Sequence, residues 1–163
     1  MLRLIRHAKS TANGSAAIVR GNPNAELCEE GLRQLPDLKQ RIEKLVGGRA
    51  LATIPANVTE LYRTKQTAFE VGFRILQTVP LLNESSEAAP LKVLIPKMKL
   101  GWLPLDVLTR AEVFLNQPDM HAEFNFSHGL TIAACRYVAG ERPSDGNMLS
   151  LVPFYAELVE IPT

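Results

Sequence analysis

An α/β fold with a mainly parallel central sheet flanked by helices is predicted by three features of this 163-residue chain. Short apolar runs alternate with segments of helical periodicity along its whole length. Two of those runs stop abruptly at a histidine followed by a small residue. Neither an internal repeat nor a low-complexity tail interrupts the alternation. The length suits a single domain over residues 1–163, which is the organisation we expect.

Leu2, Leu4 and Ile5 predict a first strand ending at Arg6-His7. The following KSTANGSAAIVRGNPNA is rich in small and turn-forming residues and reads as an irregular loop. ELCEEGLRQLPDLKQRIEKLV is helical in pattern, with acidic residues in its first turn, where the helix dipole favours them. Pro36 lacks an N–H and crowds the preceding turn, so a kink or a break is expected there. Gly47-Gly48 end the segment.

A strand is expected around residues 56–59. TKQTAFEVGFRILQTV, residues 64–79, places Ala68, Val71 and Ile75 at helical spacing and predicts a helix. The next 28 residues, PLLNESSEAAPLKVLIPKMKLGWLPLDV, hold four of the 11 prolines and predict loops and short elements. LTRAEVFLNQ is a helix with Thr109 as candidate cap. FNF is a short strand leading into Ser127-His128-Gly129, and LTIAACRYVAG is the helix after it. MLSLVPFYAELVEI closes the chain as one or two strands in a hairpin or edge pair.

Composition narrows the function. Eighteen basic against 17 acidic residues leave a net charge of +1, so nothing electrostatic supports coating a nucleic acid. An anion site must therefore be built locally. The two cysteines, Cys28 and Cys135, fit no zinc spacing. No stretch approaches the roughly 20 apolar residues of a membrane span, and the first apolar run is short for a signal-peptide core. We expect a cytoplasmic protein needing no metal or cofactor and binding neither nucleic acid nor membrane. Its oligomeric state stays open.

In open α/β sheets, ligands gather beyond the carboxyl ends of the strands. His7 and His128 each stand at such an end, and parallel neighbouring strands would bring them to one crevice. Ala8 and Gly129 behind them would let backbone approach a ligand closely. Singly, either histidine is as well explained by a local hydrogen bond. Arg6 beside His7, and Arg63 at a helix head, add guanidinium forks that match phosphate oxygens two at a time. Together these residues describe a phosphoryl site. His121 reads as structural, Lys9 as a solvated loop lysine, and Trp102 with Met98–Leu103 as a pocket rim or a core closure.

Four blocks in order resemble the histidine phosphatase superfamily, the phosphoglycerate mutase-like clan. RHAKSTAN matches its Arg-His opening, with Asn13 at the asparagine position. GNPNAELCEEGLRQ supplies Gly21, Leu27, Gly31 and Gln34. VTELYRTKQTA supplies Arg63, Gln66, Thr67 and Ala68, and NFSHG the final Ser-His-Gly. The resemblance implies a three-layer α/β sandwich in which one histidine becomes phosphorylated. It implies His7 as the nucleophile, Arg6, Arg63 and His128 as the phosphate pocket, and Asn13 and Gly129 as substrate-binding positions. A glutamate between the third and fourth blocks would be the proton donor; LLNESSE places Glu84 there, with Glu87 as rival.

The chain also departs from the family pattern. Ala8 replaces a glycine, as in the small phosphohistidine phosphatases of the clan, and is expected to add a methyl at the pocket floor. Cys28 replaces a capping threonine, a poorer cap. Thr59 replaces a serine. The segment after Glu84 lacks the aromatic-and-glycine pattern of the mutases.

The expected activity is hydrolysis of a phosphate monoester or a phosphohistidine protein through phosphohistidine on His7. A catalytically silent phosphate-binding or scaffold domain is the alternative, and a phosphomutase a third. Substrate choice would reside in residues 85–106.

Overall fold

The computed structural model describes residues 1–13, 22–84 and 91–162. Five strands form one sheet, β1 (Leu2–Arg6), β2 (Pro55–Val58), β3 (Ile75–Thr78), β4 (Phe124–Ser127) and β5 (Leu158–Ile161), in the order β3-β2-β4-β1-β5. β1 runs parallel to β4, and β2 parallel to both β4 and β3; β5 alone is antiparallel, along β1. The helices are α1 (Glu29–Val46), α2 (Tyr62–Val71), α3 (Leu91–Lys99), α4 (Leu105–Leu115) and α5 (Gly129–Val138). This is the expected α/β sandwich.

Strand alternation sets the layers. Ile5, Ala56, Val58, Phe124 and Phe126 point to one face, where α1 and α2 cover them with Leu35, Leu38, Ile42, Ala68 and Val71. Leu2 and Leu4 point to the other, against Val107, Ala111 and Phe114 of α4 and Ile132, Ala134 and Cys135 of α5. Phe73 packs at 5.4 Å from Phe124 and 5.5 Å from Phe126, ring centre to ring centre. Each such buried phenyl contributes about 1.5–3 kcal/mol. Met98 and Leu103 join a third cluster with Leu130 and Leu151, and Trp102 packs on its margin, so that segment closes core.

Several local expectations are corrected. α1 runs unbroken through Pro36. Pro36 is exposed, its missing N–H deprives only the carbonyl of the 44 % exposed Leu32, and water can serve that group. The buried stripe Gly31, Leu35, Leu38, Ile42 and Val46 keeps both halves on the sheet. Cys28 stands at the N-cap without a side-chain capping bond; its thiol instead donates to Lys9 O at 3.4 Å. Gly47, at φ 60°, ends the helix as expected.

The helix foreseen over residues 64–79 stops at Val71, and Ile75–Thr78 is β3. Gly72, at φ 129°, turns the chain, a conformation open to glycine. β3 is an edge strand with little buried surface, so it carries no alternation to betray it. Thr109 lies inside α4, which starts earlier, behind Pro104 and with Asp106 in its first turn. In the last segment only Leu158–Ile161 is a strand; Met148–Leu151 is a 3-10 turn.

Gly31 meets the loop after β1 so closely that an added Cβ would lie 1.9 Å from Lys9 O. Backbone must move to admit it. Gly31→Ala is therefore expected to lose about 1–3 kcal/mol of stability, read as a lowered midpoint in urea unfolding. An unchanged midpoint would mean that this contact is slack.

Candidate active site

Register brings the two histidines together. Arg6 pairs with Ser127 across β1 and β4, and His7 N donates to Ser127 O at 3.1 Å, so both chains leave the sheet side by side. The imidazole rings of His7 and His128 stand edge to face at 5.1 Å. Both side chains are buried. β2 ends beside them and delivers Thr59, whose Oγ1 lies 3.0 Å from His128 Nε2.

Arg63, in the first turn of α2, reaches the same point: its Nε donates to His7 Nε2 at 3.2 Å. His7 Nδ1 lies 2.7 Å from Ala8 O. A carbonyl only accepts and a guanidinium only donates. Neutral His7 thus carries its proton on Nδ1 and a lone pair on Nε2. Arg63 also pairs with Glu84, Nη2 to Oε2 at 2.5 Å. Arg110 of α4 donates to the Glu84 carbonyl at 3.1 Å while it pairs with Asp106 at 3.2 Å. Thr131 Oγ1 of α5 donates to Asn83 O at 2.8 Å, and Ser127 Oγ to Leu82 O at 2.7 Å. The segment bearing Glu84 is thereby held to α4, α5 and β4.

Arg6 is fixed from the other end of the chain. Its Nη1 donates to Pro153 O at 2.7 Å, and its guanidinium carbon lies 3.7 Å from the ring centre of Tyr155. Gly129 leaves it room: a Cβ there would come within 3.0 Å of Arg6 Cζ and 2.9 Å of Val152.

The matched residues away from the pocket act as fasteners for the loops around it. Thr67 Oγ1 accepts from Ala8 N at 3.1 Å, Gln34 Oε1 from Lys9 N at 3.0 Å, and Gln66 Oε1 from Leu27 N at 2.8 Å. Ala8 itself is buried in the apolar cluster with Ile5, Leu27 and Ala68, so its methyl belongs to the core and not to the pocket floor. Asn13 Oδ1 accepts from Ser10 N and Ser10 Oγ, at 3.2 and 2.7 Å, within its own turn. Lys9 pairs with Glu30 at 2.5 Å. His121 Nε2 bonds Phe114 O at 2.8 Å, a structural role. Gly21 and Glu87 lie outside the described residues.

Burial, and then neighbouring charge, explain the protonation states. Burial pushes His7 down to about 3, reinforced by the guanidinium of Arg63, opposed by the Ala8 hydrogen bond, and aided by Arg6. His128 is held well below the usual imidazole range by burial, then by His7, Arg63, Arg6 and Arg110. Burial lowers Arg6 and Arg63 as well, against the attraction of Tyr155 and Glu84, yet a guanidinium stays charged. The site therefore combines two cations with two neutral imidazoles.

No family model and no curated protein sequence matches the chain. Its backbone does match solved structures. Phosphoserine phosphatase from Entamoeba histolytica, bound to 3-phosphoglyceric acid, superposes with a TM-score of 0.67 at 19% identity, over 96% of this chain and 87% of that one. The chain has the phosphoglycerate mutase-like α/β fold. A mycobacterial glucosyl-3-phosphoglycerate phosphatase gives 0.63 at 22% identity, over 96% and 88%. SixA from Agrobacterium tumefaciens, described as a phosphohistidine phosphatase, gives 0.59 at 15%, over 96% and 86%. No described helix is long and apolar enough to cross a membrane.

Thr59, Arg110 and Tyr155 escaped the sequence reading as site neighbours. Thr59 stood in a matched block and was noted only as a substitution. Arg110 and Tyr155 belong to no block, and only their contacts place them.

Both histidines take up protons more readily in the unfolded chain, near pH 6.5. Stability is therefore complete above about 6.5 and falls as the pH drops toward the His7 value of about 3. The slope is up to ~1.4 kcal/mol per pH unit for each histidine. Urea unfolding across this window should show that slope roughly halved in His7→Asn. Nitrogen NMR should show His7 neutral at pH 5 with its proton on Nδ1; an imidazolium signal there would refute the assignment.

Proposed function

We propose that this protein is a phosphatase that hydrolyses a phosphate monoester or a phosphohistidine through a covalent phosphohistidine on His7, without a metal or other cofactor. The observation that carries this reading is a set of buried nitrogens. Among the described residues, the buried side-chain polar atoms without a hydrogen-bond partner are Arg6 Nε, Arg63 Nη1 and His128 Nδ1. A buried group left unsatisfied costs about 1–3 kcal/mol. All three belong to the residues around His7, and a phosphoryl group presents the acceptors they lack.

The chemistry follows from the lone pair on His7 Nε2. Once Arg63 Nε turns from His7 Nε2 to a phosphoryl oxygen, this nitrogen attacks phosphorus in line as the bond to the leaving oxygen or nitrogen breaks. Positive charge develops on the imidazole, and the Nδ1–H bond to Ala8 O stabilises it. Arg6 and Arg63 meet the phosphoryl oxygens. The mechanism uses the tautomer in which Thr59 Oγ1 donates to His128 Nε2, which puts the single proton of neutral His128 on the unpartnered Nδ1, available to the same group. Preorganised donors of this kind are each worth about 3–4 kcal/mol in the transition state. Glu84, which gives up Arg63 to the phosphoryl oxygens and takes a proton when substrate binds, hands that proton to the leaving group. Its carboxylate then takes a proton from water as water attacks phosphorus and the P–N bond breaks, which restores His7.

The phosphatases that share the fold support a phosphorylated small molecule or a phosphohistidine protein as substrate. Asn13 and Gly129 enter this reading differently. Gly129 serves substrate binding by making space for Arg6, and Asn13 by shaping the loop after His7.

Rapid quench with a labelled phosphate ester should trap one phosphate per chain on His7, and His7→Asn should trap none. Arg63→Lys should lower kcat/KM roughly 10²–10³-fold. Glu84→Gln should slow ester hydrolysis more than phosphohistidine hydrolysis, because an imidazole leaving group needs less acid assistance. Phosphate binding without trapping or turnover would establish a silent binding domain instead. Turnover only with a bisphosphate primer would establish a mutase.

A further inference from the structure

The turn Pro153–Glu157 is built against the end of β1. Arg6 N donates to Glu157 O at 3.0 Å, Ala156 N to His7 O at 3.4 Å, and Phe154 N to Glu157 Oε2 at 2.5 Å. Ala156 adopts φ 54°, the one positive φ outside glycine among the described residues. A non-glycine residue in that region is disfavoured and persists where its surroundings enforce it. Enforcement here serves to bring Tyr155 over Arg6 and beside His7, whose ring centre is 5.8 Å from its own.

Arginine is long, and one hydrogen bond does not define the plane of its fork. The bond from Nη1 to Pro153 O anchors one corner. Nε, the atom next to the chain, is buried and has no partner. The Tyr155 ring at 3.7 Å supplies the second constraint, a flat surface that orients the guanidinium. Tyr155 is only half buried and also borders a cavity of about 280 Å³ with Gln34, Asp37 and Arg41. Its placement is not required to fill the core.

We propose that Tyr155 is a positioning residue for Arg6, setting the plane in which the guanidinium presents Nε to a phosphoryl oxygen and thereby the affinity of the pocket for tetrahedral oxyanions. This rests on the phosphoryl site proposed above. It assigns the C-terminal turn a part in phosphate recognition.

Orthovanadate binding, measured by calorimetry on the full chain, tests this without turnover. Tyr155→Phe keeps the ring face and should bind like wild type. Tyr155→Leu keeps apolar bulk without the aromatic face and should bind roughly 5- to 30-fold more weakly, with KM for a phosphate ester raised and the melting temperature little changed. In an Arg6→Ala background, Tyr155→Leu should cause no further loss. Equal affinities for wild type and Tyr155→Leu would overturn the proposal. So would an undiminished loss in the Arg6→Ala background, or a loss in Tyr155→Phe as large as in Tyr155→Leu. Wild type that fails to bind vanadate would sink the phosphoryl site itself. Binding without turnover would sink only the hydrolase reading.

Discussion

Two guanidiniums, Arg63 buried and Arg6 half-buried, stand beside two buried imidazoles and set the terms for everything around them. Four cations in that space would repel one another without the solvent that normally screens them. The histidines yield, because an imidazole can shed its charge and a guanidinium cannot. The bond from Arg63 Nε to His7 Nε2 makes that outcome specific, since it requires a lone pair on the atom facing the arginine. Electrostatic necessity thus yields an unprotonated nitrogen beside a fixed positive charge, the state a nucleophile toward phosphorus needs.

The fold exists around this cluster in a definite way. β4 lies between β1 and β2, so three carboxyl ends deliver His7, Thr59 and His128 to one edge. Side chains from α1 and α2 then tie down the loops: Gln34 holds Lys9, Gln66 holds Leu27, and Thr67 holds Ala8. In each, a backbone N–H donates to a side-chain oxygen, which fixes loop position. Gly31 allows α1 to pack directly on the Lys9 carbonyl. Such support confines these side chains to a narrow geometry, as the proposed phosphoryl transfer would demand.

The opposite side of the pocket is closed by chain far from the motifs. Glu84 arrives on a segment held to α4, α5 and β4, and Tyr155 on the strained turn before β5. Among the solved structures with this fold are phosphatases whose named substrates range from phosphoserine to glucosyl-3-phosphoglycerate, at about a fifth of identical residues. A shared scaffold with divergent walls is what such a spread requires.

The sequence by itself determined the α/β class, the strands that end at His7 and His128, and the arginines that accompany them. Those features were legible because they are local: an apolar run stops, a polar residue follows, and matched blocks keep their order. Glu84 was legible as a neighbour of a block, though its pairing with Arg63 was not. β3 was not legible, because an exposed edge strand has no buried face to impose a period of two, and Ile75 fits a helix equally well. The uninterrupted helix through Pro36 was decided by a packed stripe that outweighs one missing hydrogen bond. The methyl of Ala8 and the ring of Tyr155 likewise found their places only in three dimensions. Which face a side chain meets depends on what the rest of the chain brings opposite it, and that partner lies up to about 150 residues away, as Tyr155 lies from Arg6.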